Sequence, residues 1–213
     1  MQLPFTEQQF LDVFEAFNAR AWPVVAGLWV ATLWYTARFV RGHAGSVALS
    51  ALSAVHWAWS GLVYHAVFFT RINPAAWLFA ALFVLQAVAF VWFGIVRRGL
   101  TFQYQRTPRH AAAIALMAYA LAYPLLVVLS GHDASRAPLF AVPCPTALWT
   151  AGLLLTASRP ALPVLMVPTL WAIIGGTAAL GLGVRPDLML FPAAGCLVMY
   201  RLSLWMGSRP RPA

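Results

Sequence analysis

The sequence contains no lysine and few charges of either sign. All 14 basic residues are arginine, only five residues are acidic, and 9% of the chain is charged against 62% hydrophobic. Because soluble domains carry about 25% charged residues, a chain of this composition needs lipid to cover its apolar surface. Retinal is excluded as a cofactor, since no lysine amine is present to form a Schiff base with it.

Cysteine is also scarce, and the chain begins without a basic region. The two cysteines, Cys144 and Cys196, fall in different apolar segments and do not indicate a disulfide framework. The first 18 residues include Glu7, Asp12 and Glu15 but no arginine, which is unlike a secretory signal peptide. We therefore expect the first apolar segment to act as the targeting signal.

Long apolar segments occupy most of the chain. A helix that crosses a hydrocarbon layer of ~30 Å needs about 20 residues, and seven segments approach this length. They predict an all-α integral membrane bundle of seven transmembrane helices within residues 21–207, followed by a disordered cytoplasmic tail at 208–213. The predicted spans are residues 22–39, 46–70, 74–96, 110–130, 138–157, 161–182 and 188–206.

The charges predict an orientation for this bundle. With the N-terminus outside and the C-terminus in the cytoplasm, ten arginines lie inside, four lie outside, and all five acidic residues lie outside. Such an excess of basic residues is typical of cytoplasmic loops. The use of arginine without lysine points to a GC-rich bacterial gene, and thus to a bacterial inner membrane. Because the arginines alternate with apolar segments and form no patch, we expect no nucleic-acid partner.

The N-terminal residues predict a helix before the first span. Thr6 and Gln9 form a capping-box pattern, which opens helices. Three aromatic residues then recur at helical spacing on one face, namely Phe10, Phe14 and Phe17. We expect residues 1–20 to form an amphipathic helix at the outer membrane interface. It would serve as a simple anchor or as a lid over an outer cavity.

The fifth predicted span is interrupted by two prolines, Pro143 and Pro145, which flank Cys144. Each proline removes a backbone donor and disfavours helical geometry at the residue before it. We expect irregular backbone over residues 138–144 and a short helix that begins at Pro145. Irregular backbone at membrane depth is tolerated where protein buries it or where it lines a wet cavity.

Cys144 and His65 are expected at similar depths below the outer surface, and His132 and Asp133 lie in the short outer loop nearby. A cysteine at a helix N-terminus is a candidate reactive thiol or soft-metal ligand. The pattern predicts an outward-facing site for a small ion or solute, with a soft metal held by Cys144, His65 and His132 as one version. The alternative is that Cys144 is a small core residue and that His65 hydrogen-bonds a neighbouring helix.

Further polar candidates lie deeper and at the surface. His56 forms one polar stripe with Ser53 and Ser60 on the second span. This stripe is a candidate polar relay through the bundle, or a set of hydrogen bonds between helices. Arg71, in the outer turn after the second span, is a candidate contact for an anion.

Five short motifs are distributed along the chain. They are Pro-Phe-Thr at 4–6, Phe-Thr-Arg-Ile-Asn-Pro-Ala-Ala at 69–76, Gly-His at 131–132, Pro-Cys-Pro-Thr at 143–146 and Gly-Gly-Thr-Ala-Ala at 175–179. Together they resemble a family of bacterial membrane proteins described only as a domain of unknown function. The resemblance implies a multi-pass bacterial membrane protein. It carries no established activity, so no functional residue transfers from it.

Three functions are compatible with these patterns. The first is a non-enzymatic protein that transports or binds a small ion or solute at the outer cavity. The second is a membrane-embedded enzyme that uses Cys144 as nucleophile and His65 or His132 as base. The third is an accessory subunit of an oligomer or membrane complex, in which the polar residues only pack helices.

Overall fold

The computed structural model describes residues 4–131 and 133–207, and this part of the chain is all-α. His132 and the predicted tail at 208–213 lie outside the described residues. An isolated β-bridge joins Phe102 to Ala157. The helices are α1 (Glu7–Val40), α2 (Ser46–Trp59, continued as a π-helix over Ser60–Phe68 and a 3-10 turn over Phe69–Arg71), α3 (Ala76–Ala89, continued as a π-helix over Phe90–Val96), α4 (Pro108–Leu129), α5 (Pro143–Leu155), α6 (Leu162–Leu182) and α7 (Leu190–Gly207, preceded by a 3-10 turn over Arg185–Met189).

Six of these helices are long and apolar enough to cross a membrane, as expected for a multi-pass membrane protein. They are α1, α2 with its continuation, α3 with its continuation, α4, α6, and α7 with the turn before it. The exception among the described helices is α5, which has 13 residues. At 1.5 Å per residue it is about 20 Å long, so the predicted fifth span at 138–157 does not form one continuous crossing.

The N-terminal segment is the beginning of α1. Thr6 caps this helix through the predicted capping box with Gln9. The helix then continues through Pro23 for 34 residues in all, which is about 51 Å at 1.5 Å per residue. The predicted boundary at residue 20 is therefore not marked by a break between described elements. Val13, Phe14 and Phe17 are buried, and the interfacial position of this segment stays a prediction.

The short helix α5 lies in the centre of the bundle. All but one of its 13 residues are buried, and it packs against α2, α4, α6 and α7. The helix begins at Pro143 and not at Pro145 as predicted, because a proline in the first turn needs no hydrogen-bond partner for its nitrogen. The residues just before it, 138–142, are irregular as expected, and Ala141 has a positive φ of 64°. The hydroxyl of Ser60 donates to the carbonyl of Ala141.

Close approaches between α2 and α3 occur at both π-helical continuations. A Cβ atom at Gly94 would lie 2.2 Å from Ser50 Oγ, and one at Gly61 would lie 3.0 Å from the carbonyl oxygen of Ala80. Glycine at these two positions lets the backbones meet, as small residues do between membrane helices. The π-helix over Ser60–Phe68 also widens the helical turn where His65 sits. Short π-helical insertions are frequent at functional sites.

We predict that Gly94→Ala destabilises the protein. In a helix interior, alanine is normally more stabilising than glycine by about 1 kcal/mol. Here its methyl group would overlap Ser50, and this overpacking should cost about 1–3 kcal/mol. The unfolding temperature of the detergent-solubilised protein should fall. Adding Ser50→Gly should restore part of the loss.

Gly195→Ala on α7 is the matched control, since a Cβ atom there would meet no described atom within 4 Å. It should leave the unfolding temperature unchanged or slightly raised. Equal unfolding temperatures for the two alanine variants would show that α2 and α3 are not in close contact at Gly94.

Candidate functional site

A cavity of about 680 Å³ opens beside the irregular segment that precedes α5. Ligand pockets usually measure about 300–1,000 Å³, so this one is large enough for an organic molecule. Its lining comes from α1, α2, α3, α4, α5, α6 and the turn before α7. The wall is mainly apolar, and its aromatic residues are Phe5, Phe10, Phe14, Tyr64, Phe69, Phe79, Tyr123 and Trp171, together with the imidazole of His65.

The broken fifth segment is what leaves room for this cavity. Pro138, Val142 and Pro143 line it, and Cys144 reaches it from the first turn of α5. Because α5 begins only at Pro143, residues 138–142 do not form a helix and leave the space beside them unfilled. The predicted irregular backbone is therefore buried by protein on one side and borders the cavity on the other, as backbone at this depth requires.

His65 lies on the cavity wall without a hydrogen-bond partner. Its side chain is 0% exposed, and neither ring nitrogen meets a partner among the described residues. Its ring packs against Phe83, Trp171 and Phe79 at centroid distances of 4.8, 5.1 and 5.6 Å. Buried polar groups are nearly always paired, and an unpaired one costs about 1–3 kcal/mol. A histidine with both nitrogens unpaired beside a cavity therefore points to a partner supplied from outside the chain.

Trp171 on α6 connects His65 to Cys144. Its indole N–H makes a weak polar interaction with the Cys144 thiol and has no hydrogen bond of normal geometry within the described chain. A Cβ atom at Gly175 would lie 3.5 Å from Trp171 Nε1 and 3.6 Å from Cys144 Sγ. The glycine therefore gives both groups access to the same space. The structure thus places His65, Trp171 and Cys144 along one wall.

Asp187 supplies the acidic group of this site. It is 5% exposed, accepts a hydrogen bond from the hydroxyl of Tyr123, and interacts with the Cys144 thiol. Tyr119 donates to the carbonyl oxygen of Pro186 at 2.9 Å, which fixes the turn that carries Asp187. From the sequence, Asp187 marks only the start of the last span. A carboxylate next to an apolar helix is a weak signal of a functional residue. Here the preceding Arg-Pro pair, which is typical of an exposed loop, masks that signal.

The predicted metal ligands do not form a metal site in the part of the chain that the structure describes. Within residues 4–131 and 133–207, no group of three His, Cys, Asp or Glu side chains is arranged to hold a metal ion. Cys144 and His65 line the same cavity, but Trp171 packs against both. His132, the third predicted ligand, is not among the described residues, so its role stays a prediction.

Asp133 and Arg71 have local structural roles at the surface. The carboxylate of Asp133 accepts hydrogen bonds from the hydroxyl and the backbone N–H of Ser135, at 2.7 and 2.8 Å. These bonds hold the pKa of Asp133 below its ordinary value. Arg71 donates from Nε to the carbonyl of Val67 at 3.0 Å, and its guanidinium stacks on Phe68. Neither residue belongs to the described lining of the cavity.

His56 and its neighbours mainly join helices. His56 Nε2 hydrogen-bonds Thr32 Oγ1 on α1 at 2.7 Å, which leaves Nδ1 unpaired among the described residues. Ser60 donates to the carbonyl of Ala141 in the segment before α5, whereas Ser53 donates to the carbonyl of Leu49 within α2 itself. These contacts favour the packing interpretation of the polar stripe over a relay.

We predict that Tyr123→Phe lowers stability, because the carboxyl group of Asp187 would remain buried without its hydroxyl donor. An unsatisfied buried group of this kind costs about 1–3 kcal/mol. Thermal unfolding in detergent would measure the loss. Tyr119→Phe, which removes a hydroxyl from a half-buried contact with Pro186, should have a smaller effect.

A double-mutant cycle isolates the Tyr123–Asp187 pair. If the two groups interact, Tyr123→Phe should cost much less in an Asp187→Leu background than in the wild type. Equal costs in both backgrounds would show that the hydroxyl of Tyr123 stabilises the protein independently of Asp187.

The comparisons with known proteins assign no activity to the chain. No curated protein and no solved structure matches the chain. One family model covers residues 7–206, which includes every described helix apart from the last residue of α7, and the whole cavity lining except Phe5. The resemblance to a domain of unknown function is thus confirmed. The chain belongs to a family of unknown function, DUF6064.

Proposed function

We propose that this protein binds a small uncharged solute in the cavity, which faces the outer side of a bacterial inner membrane, and carries or presents that solute there. The observation that supports this most directly is His65. A fully buried imidazole with two unpaired nitrogens borders a cavity of about 680 Å³. A bound solute would satisfy the polar groups that the described residues leave unpaired.

The charges around the cavity favour an uncharged solute over an ion. Among the described lining residues there is no arginine, and the acidic one, Asp187, is already bonded to Tyr123. An ion moved into an apolar cavity loses far more hydration free energy than a neutral molecule does. No described basic residue lines the cavity to pair with an anion, and no described group of three ligands surrounds Asp187 to hold a metal ion, so a neutral solute fits the cavity better than either.

Binding is also favoured over covalent catalysis at Cys144. A nucleophilic cysteine needs a base within hydrogen-bonding reach or a positive neighbour that stabilises the thiolate. The described interactions of Cys144 are with Asp187 and Trp171. Neither His65 nor a positively charged side chain is among these described partners, so the described geometry does not supply the histidine base that the enzyme hypothesis requires.

We predict that small molecules reach the cavity in the folded protein. In a Cys196→Ser background, N-ethylmaleimide added to native membranes should label Cys144. In a background without native cysteines, Val142→Cys should also be labelled, because this position lines the cavity. The reaction would be followed by mass spectrometry of the intact protein.

Ala151→Cys is the matched control, since Ala151 is buried in α5 away from the cavity lining. It should react only after denaturation in sodium dodecyl sulfate. The proposal fails if neither Cys144 nor Val142→Cys reacts faster than Ala151→Cys, because the cavity would then be closed to solutes.

The outward direction of the cavity rests on the charge distribution and has its own test. Green fluorescent protein fused after Gly207 should fluoresce in a bacterial host, since it folds in the cytoplasm, while an alkaline phosphatase fusion at the same position should be inactive. The reverse pair of results would place the C-terminus outside and turn the cavity toward the cytoplasm.

A further inference from the structure

The cavity reaches the surface of α6 that faces lipid. Ile173 and Leu180 line it, and they are 48% and 67% exposed on a helix long and apolar enough to cross a membrane. Thr177, between them, also lines the cavity and is exposed. Exposed apolar residues on such a helix are covered by lipid chains. A molecule dissolved in the bilayer can therefore reach the cavity along α6.

The remaining wall is suited to an apolar body. Phe5 packs on Phe10 at a centroid distance of 5.9 Å and on Phe69 at 5.4 Å, and Phe10 meets Phe14 at 4.9 Å. This aromatic cluster closes the cavity on the side of α1. A ligand with an apolar body gains contacts when it moves from water or from the membrane interface into this environment. A ligand with a polar body would lose its hydration there without new hydrogen bonds.

The polar groups define the kind of head group that fits. A neutral imidazole has one donor and one acceptor nitrogen, and the indole of Trp171 adds a second donor. A hydroxyl group can accept from one of the donors and donate to the imidazole acceptor. A carbonyl or a carboxylate has no donor and would leave that acceptor unpaired.

Resting on the proposed function, we infer that the solute is a neutral amphiphile with an apolar body and a single hydroxyl head group. It enters from the bilayer along α6 and places its hydroxyl at the cavity edge of the packed His65–Trp171 pair, where a small side-chain rotation uncovers the buried nitrogens. This assigns a lipophilic alcohol as the ligand class of the site.

Photo-crosslinking with a diazirine-bearing hexadecanol tests this inference on the full chain in vesicles. The alcohol probe should label residues of the cavity lining, and unlabelled hexadecanol should compete. Matched probes with a carboxylate head or no head group should label these residues much less. Peptide mapping by mass spectrometry would separate cavity labelling from general labelling of the lipid-facing surface.

His65→Phe removes an unpaired polar group and keeps an aromatic ring, so the variant should fold. We expect competition by hexadecanol to weaken about fivefold, which corresponds to the loss of one hydrogen bond of about 1 kcal/mol. Trp171→Phe removes the indole donor and should act in the same direction. Leu85→Phe, at a position 61% exposed on α3, is the control and should leave competition unchanged.

The alcohol assignment fails if the three probes label the cavity equally, if none labels it, or if neither His65→Phe nor Trp171→Phe alters competition. The maleimide experiment separates this failure from that of the proposed function. Continued labelling of Cys144 or Val142→Cys would keep a solute-binding cavity with another ligand class. Absence of both kinds of labelling would remove the cavity as a binding site.

Discussion

The break in the fifth apolar segment is the constraint on which the rest of this structure depends. Two prolines within three residues prevent a regular helix before Pro143, so α5 covers only part of the distance that its neighbours span. The space left beside it is enclosed by side chains from other helices. The cavity, the position of Cys144 and the approach of Asp187 all follow from that missing length of helix. A single uninterrupted span here would have filled the same volume with its own side chains.

Lipid offers no hydrogen-bond partners, so a buried polar group in this bundle needs a partner from the protein or from a bound molecule. The presence or absence of such a partner therefore indicates what each buried polar group does. The structure pairs many of them across helices: Ser60 with the Ala141 carbonyl, Thr32 with His56, and Tyr123 with Asp187. His56 keeps one partner, whereas His65 keeps none among the described residues. This difference separates a histidine that packs helices from one that borders the cavity with both nitrogens unpaired among the described residues. Their spacing along the sequence could not make that distinction.

Local sequence patterns predicted the elements well and the side-chain contacts poorly. The capping box at Thr6 and the irregular backbone before α5 follow from short-range chemistry, and both are observed. The placement of His65 and Cys144 on one cavity also followed from helix depth. Trp171 and Asp187 were missed, because their roles arise only where α6 and the turn before α7 pack against α5. Helical periodicity reports which face is apolar, and it does not report which distant residue that face meets.

The shortness of α5 also bears on how the chain is assembled during synthesis. A helix needs about 20 predominantly apolar residues to cross the hydrocarbon layer by itself. With 13 residues and nearly complete burial by protein, α5 lacks a stable position in lipid by itself. It can settle only after α6 and α7 have been made and have closed around it. We therefore expect the centre of the bundle to be completed last, after the helices that follow it in the sequence.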